Sequence, residues 1–212
     1  MQKLILQLTY SIVIRWILKL FVGIKFERAD FLSHEQQFIL VANHNSHLDT
    51  MSLMAALPRN IIHKVKPVAA KDHFGKTKWQ EKLSNYFINT LLIQRKRDKE
   101  HPENDPIHQM VKALDEGYSL ILFPEGTRGE PEKEQPLKPG VAMVLAQRPT
   151  VKYVPAYLSG MGNAMPKGDN IIVPINASIT FGTPKLISHQ SDTKSILHQI
   201  NTDFNRLKKS LR

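Results

Sequence analysis

The chain has 212 residues, with 42% hydrophobic and 23% charged content, a net charge of +10 and no cysteine. That length gives one sizeable domain with a real core. The composition excludes wholesale disorder, and the missing thiols exclude disulfides, a cysteine nucleophile and thiolate metal ligands while suiting a reducing compartment.

The positive surface favours polyanions: anionic lipid headgroups, phosphorylated substrates or acidic carriers. For nucleic acid the sequence offers charge alone. It has no zinc-finger spacing, RNA-binding aromatic motif or long Arg/Lys tract, so no nucleic-acid partner is expected.

Residues 1–24, MQKLILQLTYSIVIRWILKLFVGI, carry Lys3, Gln7, Ser11, Arg15 and Lys19 at every fourth position. These form a slowly drifting polar stripe on a helix that is otherwise almost wholly apolar. Two charges in the second half count against a simple membrane span. Arg15 and Lys19, following the apolar stretch, count against a signal peptide. A wide apolar face, a narrow cationic stripe and Trp16 fit a helix lying in the membrane interface. The alternative is a helix packed on the protein's own core. Residues 1–27 are accordingly read as an amphipathic membrane-associating helix, ahead of a single domain at 28–212.

Beyond Glu27, strands and helices alternate. QFILVA (37–42) reads as a buried strand, and TMSLMAAL (50–57) as a helix stopped by Pro58. VKPVAA (65–70) is a strand whose Pro67 predicts an edge or a bulge, and TLLIQR (90–95) is another strand. The next helix has Asp105 as N-cap, Pro106 at its first position, an apolar face of Ile107, Met110, Val111 and Leu114, and Gly117 as its stop. YSLILF (118–123) is a strand, GVAMVLAQR (140–148) a helix, and VKYVPAYL and NASITFG are strands. The last helix lies within 191–212, with Ile196, Ile200, Phe204, Leu207 and Leu211 on one side. Lys208, Lys209 and Arg212 complement its dipole. The fold class is α/β: one domain with a mixed, largely parallel sheet flanked by helices, whose ligands belong at the carboxyl ends of the strands.

Three loops that follow strands carry chemistry. In LVANHNSHLDTMSL (40–53), His44 and Asp49 would be about 140° apart on an ideal helix. They meet if His44 lies in the turn before the helix and Asp49 in its first turn, with Asn45 or Ser46 as cap. The pair then becomes an imidazole oriented by a carboxylate, the geometry of a general base. Two other readings stay open: a metal held by His44, His47 and Asp49, or an aspartate favouring a helix N-terminus beside locally satisfied histidines.

In FPEGTRG (123–129), Pro124 and Gly126 force a sharp exit, with Glu125 beside Arg128 and Thr127 between them. An arginine, a hydroxyl and backbone N–H groups can form a phosphate site; a turn with a Glu–Arg ion pair is the simpler reading. In LLIQRKRDK (91–99), Arg95, Lys96 and Arg97 follow a strand, either as a second phosphate contact or as a solvated charge run. The stretch 128–140, RGEPEKEQPLKPG, is a charged, proline-rich loop of the kind that is often functional.

In this order the pieces resemble the glycerolipid acyltransferase family, specifically its 1-acyl-glycerol-3-phosphate (lysophosphatidate) acyltransferase branch. Asn43, His44 and Asp49 match N-H-x4-D, and Phe123 to Arg128 match F-P-E-G-T-R in full. YVPAY with Pro155 matches the apolar strand ending in proline, and LKPG supplies a lysine–glycine step at Lys138 and Gly140. NTLLIQR keeps the arginine of G-x-x-F-I-x-R as Arg95, but has Asn89 for the glycine and Leu92 for the phenylalanine. Those departures bear on the acceptor's identity more than on the chemistry. The likeness spans roughly residues 38–185. An H-x4-D alone is weak; one about eighty residues ahead of F-P-E-G-T-R is specific.

The resemblance implies that His44 takes the proton from the sn-2 hydroxyl of lysophosphatidate while Asp49 orients the imidazole. The hydroxyl attacks the thioester of acyl-CoA or acyl carrier protein, with no acyl-enzyme, metal or cofactor. Arg95, Glu125, Gly126, Thr127, Arg128 and Lys138 would form the substrate's phosphate site, and His47 would be a bystander. Membrane lipids are the implied partners, with the helix embedded in one leaflet at the cytoplasmic face of the inner membrane. Other lysolipids as acceptor, a thioesterase, or a membrane-binding module without catalysis are the alternatives.

Overall fold

The computed structural model describes residues 1–27, 29–71, 88–96, 101–129, 135–164, 173–174, 176–188 and 191–211. The strands are β1 (Lys25–Phe26), β2 (Phe38–Ala42), β3 (Val65–Ala70), β4 (Leu91–Ile93), β5 (Ser119–Leu122), β6 (Lys152–Ser159) and β7 (Ser178–Phe181). The helices are α1 (Gln2–Val22), α2 (Asp49–Ala56), α3 (Pro106–Asp115), α4 (Gly140–Gln147), α5 (Met161–Ala164) and α6 (Thr193–Ser210). The strands form one sheet in the order β1-β7-β6-β2-β5-β3-β4. Every neighbouring pair is parallel except β6–β7, which is the mixed, largely parallel sheet expected.

The central strands are apolar at nearly every position because helices cover both faces. In β2, Phe38, Leu40 and Ala42 enter a core shared with α1 and α2, whereas Ile39 and Val41 enter a second core under α3, α4 and α6. Strands β5 and β6 divide in the same way: Ile121 and Val154 face the first core, Leu120 and Tyr153 the second. α3 begins as its sequence predicts, with Asp105 accepting from Ile107 N at 2.9 Å and His108 N at 3.3 Å. α6 buries Ile196, Ile200 and Phe204, but it ends at Ser210 and leaves Leu211 exposed; Arg212 lies outside the described residues.

Both prolines sit in interior strands. β3 lies between β5 and β4, not at an edge, and its pairings are staggered: Val65–Pro67 with β5, Val68–Ala70 with β4. Pro67 therefore falls just before the β4 ladder begins. Pro155 does not end its strand either. Its carbonyl accepts from Gly182 N at 2.8 Å, so its proton-less nitrogen faces the β7 side, one residue before that ladder starts at Ala156.

α1 mixes α turns with π turns and stops at Gly23, which is left-handed at φ 76°. Wider π turns raise the mean repeat above 3.6 residues, which keeps a stripe of period four aligned. The middle of that stripe turns toward the domain, while Lys3 and Lys19 near its ends are exposed. Gln7 Nε2 donates to Arg59 O at 2.9 Å, and Arg15 Nη1 donates to Ala55 O at 3.1 Å, satisfying a carbonyl at the end of α2. Leu6, Tyr10, Leu18 and Val22 join the first core, while Leu4, Leu8, Val13, Trp16, Leu20 and Phe21 are exposed. By length and composition α1 is long and apolar enough to cross a membrane. The sheet reaches into residues 1–27, since β1 pairs with β7.

Candidate active site

β2 and β5 are parallel hydrogen-bonded neighbours, so the loops leaving their carboxyl ends emerge side by side. This brings together His44 and Arg128, which lie far apart in the chain. After Ala42 the chain is held by Asn43, whose side chain acts as a substitute strand partner. Its Nδ2 donates to Leu158 O at 2.9 Å and its Oδ1 accepts from Leu158 N at 2.8 Å.

The turn 44–49 is organised by one oxygen. Asp49 Oδ2 accepts from Asn45 N and Ser46 N, both at 2.7 Å, and from His44 Nδ1 at 2.9 Å, on a side chain with no exposed surface. Neither Asn45 nor Ser46 caps α2. Asp49 stands at the first helical position, where the helix dipole favours its charge, and its carboxylate gathers the preceding amides instead. Ser46 Oγ accepts from Leu48 N at 3.3 Å and tightens the turn.

The carboxylate fixes the imidazole with its proton on Nδ1, which leaves the lone pair on Nε2. Phe123, the residue after β5, stacks on the ring at 4.1 Å between centroids and 22° between planes. His44 is 19% exposed, so the ring is both held and reachable.

The 123–129 loop is stapled to this turn. Gly129 N donates to His44 O at 3.0 Å, and His44 N donates to Glu125 Oε1 at 3.4 Å. Gln135 Nε2 donates to Glu125 Oε2 at 2.7 Å and to Thr127 O at 3.1 Å. Glu125 is buried, and its carboxylate ties the two loops together. An anion there suits fastening better than contact with a phosphate.

Gly126 is left-handed at φ 72°, and a Cβ on it would lie 2.8 Å from Lys138 Nζ, so glycine is what lets the ammonium cross the loop. Lys138 N donates to Pro124 O at 2.7 Å. Thr127 is exposed. Arg128 is partly exposed and donates through Nη1 to His47 Nε2, so His47 is a partner of this loop and not a bystander. Burial holds the Arg128 guanidinium below its usual range, and the Asp49 carboxylate works the other way.

Arg95 follows β4 on the same end of the sheet and is exposed. The order β5-β3-β4 puts it about two strand spacings, ~10 Å, from the end of β5. Arg97 lies outside the described residues. The three metal ligands that the sequence allowed do not converge, because His47 Nε2 is turned to Arg128 while Asp49 serves His44; among the described residues no group of His, Asp and Glu is arranged to hold one.

Sequence reasoning missed four contributors: the Phe123 stack, the Gln135 tether, the backbone role of Asn43 and the His47–Arg128 contact. For Asn43 the N-H-x4-D pattern was a signal. For Gln135 there was none.

Comparison with known proteins agrees with this architecture. The chain is 28% identical over 146 residues to the 1-acyl-sn-glycerol-3-phosphate acyltransferase of Bacillus subtilis (strain 168), covering 68% of this chain and 66% of that protein. It is 30% identical over 154 residues to the beta 1-acyl-sn-glycerol-3-phosphate acyltransferase of Homo sapiens, covering 68% and 50%. These matches span between 50% and 66% of the two relatives' own length. The crystal structure of the 1-acyl-sn-glycerophosphate (LPA) acyltransferase PlsC from Thermotoga maritima superposes with a TM-score of 0.74. The match covers 97% of this chain and 78% of that one at 20% identity, a likeness of fold. The family described as Acyltransferase matches residues 23–176, well over half of the sequence and both loops of the site, and the chain belongs to that family.

Proposed function

We propose that this protein is a membrane-associated O-acyltransferase. In this reading it moves a fatty acyl chain from acyl-CoA or acyl carrier protein to the sn-2 hydroxyl of lysophosphatidate, giving phosphatidate. The observation that carries the reading is the His44 imidazole, aligned by Asp49 at 2.9 Å and fastened beside a loop that presents Arg128 and Lys138.

His44 Nε2 takes the hydroxyl proton as the oxygen attacks the thioester carbonyl. The new C–O bond forms, the C–S bond breaks, and the proton passes from the imidazolium to the departing thiolate. Asp49 steadies the transient imidazolium. Because the thioester is already activated, the step as written needs no metal, cofactor or acyl-enzyme. Arg128 and Lys138 meet the acceptor's phosphate, Gly126 and Thr127 shape that pocket, Glu125 holds it against the base, and Arg95 extends the positive rim. The exposed apolar face of α1 lies in one leaflet, and the cytoplasmic face of the inner membrane is the side where such donors would meet the site.

The test is acyl transfer from labelled acyl-CoA, and separately from acyl carrier protein, to a panel of lysolipids in detergent micelles. Labelled phosphatidate that disappears in His44→Ala is the expected result. Label in another lipid keeps the dyad and changes the acceptor. Label in free fatty acid alone makes the protein a thioesterase, and no turnover with either donor leaves a membrane-binding module.

A further inference from the structure

The turn that carries the base also carries His47, which the mechanism above leaves without a task. Its Nε2 accepts from Arg128 Nη1, across 81 positions of sequence. We propose that His47 is a positioning residue that aims Arg128 at the acceptor's phosphate, an inference that rests on the acyl-transfer reading.

Both ends of this contact are anchored by backbone. The turn bearing His47 is held by the Asn45 N and Ser46 N bonds to Asp49 and by the Leu48 N bond to Ser46 Oγ. The loop bearing Arg128 is held by its next residue, Gly129, whose N–H donates to His44 O. The two side chains are therefore presented to each other by the same staple that joins the base to its loop. A free arginine gives up rotamer freedom when it closes on a phosphate. One already held gives up less, and binding is stronger by that difference.

The choice of imidazole is informative. A neutral ring nitrogen accepts from the guanidinium without cancelling its charge, whereas a carboxylate in that position would neutralise the cation that a phosphate requires. The nearby carboxylates do not cap the guanidinium directly: Asp49 Oδ2 takes His44 and two amides, Glu125 takes His44 N and Gln135, and Asp49 acts on Arg128 through its charge. Arg128 thus keeps its charge, and its remaining N–H groups can form a two-pronged contact with phosphate oxygens.

Phosphate occurs on the lysophosphatidate acceptor and also on both thioester donors, and saturation kinetics in each substrate separate the two sources. His47→Ala should raise KM for lysophosphatidate about five- to tenfold, with a smaller change in kcat and little change in donor KM. His47→Gln, whose amide oxygen can accept from Arg128, should recover most of the loss. In an Arg128→Ala background His47→Ala should add nothing, because the pair acts as a unit. If His47→Ala fails to fold, His47→Asn, too short to reach, takes its place.

An unchanged acceptor KM overturns the assignment. So does a rise that persists undiminished without Arg128, which would mean a merely structural role, or a rise in donor KM instead. Wild-type protein that transfers nothing to lysophosphatidate overturns the acyl-transfer reading and this one together. Transfer that is indifferent to His47 overturns this one alone.

Discussion

Asp49 and Asp203 are both buried carboxylates in this fold, and their surroundings make opposite use of them. Asp49 draws its partners from three preceding residues, two of them neutral backbone amides, at the open end of β2. Its third partner, His44, bonds through Nδ1 and leaves Nε2 outside the contact. Asp203, on α6, draws partners from across the fold. Tyr153 of β6 donates its hydroxyl to Oδ2 at 2.7 Å, the Lys185 ammonium pairs with Oδ1, and Gln199 completes the group by donating to the Tyr153 oxygen at 2.8 Å. Burial and the neighbouring carboxylate push the Tyr153 phenol upward, so it stays a donor. A carboxylate bound within its own turn steadies a neighbouring imidazole, whereas one bound to β6 and to Lys185 pins a helix to a sheet. Burial alone does not distinguish the two; the origin of the partners does.

Substitutions should separate the two sites sharply. Asp49→Asn removes the charge that fixes the imidazole tautomer, and kcat should fall about 10²- to 10⁴-fold, with the folded protein still recovered. Retention of most turnover would remove the dyad from the mechanism. Asp203→Ala leaves the Lys185 ammonium without its carboxylate and should destabilise the fold by about 3 kcal/mol, read by urea denaturation, while activity per folded molecule is kept. Equal losses of activity and stability at both positions would collapse the distinction.

A second contrast lies between the two amphipathic helices. α6 buries one apolar face and shows solvent a polar one; α1 buries one apolar face and shows another, with Trp16 58%, Phe21 60% and Leu20 70% exposed. The outward residues contribute nothing to the core, so Trp16→Ser with Phe21→Ser should leave the melting temperature nearly unchanged. The same pair should weaken partitioning into lipid vesicles by roughly 100-fold, from the apolar area lost to the bilayer. Flotation that matches wild type would end the membrane role of that face.

These contrasts also show where sequence patterns lose their hold. The strands were legible because continuous apolar runs mark a sheet covered on both faces, and α3 because its cap, proline and stop act locally. β1 has only Lys25 and Phe26 and no periodicity to detect. Strand order was beyond reach, since β6 inserts beside β2 for tertiary reasons. Helix geometry allowed His44 to meet Asp49 across the turn and the resemblance implied it, but the capping role given to Asn45 or Ser46 did not survive, because the Asp49 carboxylate accepts the turn's amides. The inward turn of Arg15 on α1 serves Ala55 O at the end of α2, a partner that nothing local to α1 records. His47 could not be linked to Arg128 because nothing local to either records the other.

Asn89 offers the finest test of this boundary. As a departure from the glycine of the family's second motif, it pointed to the acceptor; its geometry points to the backbone. It is left-handed at φ 59°, a region that asparagine tolerates better than most residues. Its Nδ2 donates to Val65 O at 2.9 Å and to His63 O at 3.1 Å, and its Oδ1 accepts from the Lys66 ammonium at 3.3 Å. These contacts lie at the amino end of β3, across the sheet from His44, and they serve the stretch of β3 that β4 does not pair. Asn89→Gly should therefore cost about 1 kcal/mol for the lost hydrogen bonds. Asn89→Ala should cost about 1–2 kcal/mol more, because alanine also strains the left-handed backbone. Neither should alter which lysolipid is used. Equal melting temperatures for the two variants would mean that conformation does not govern this position. A changed acceptor preference would mean that the acceptor's reach extends to the far end of the sheet.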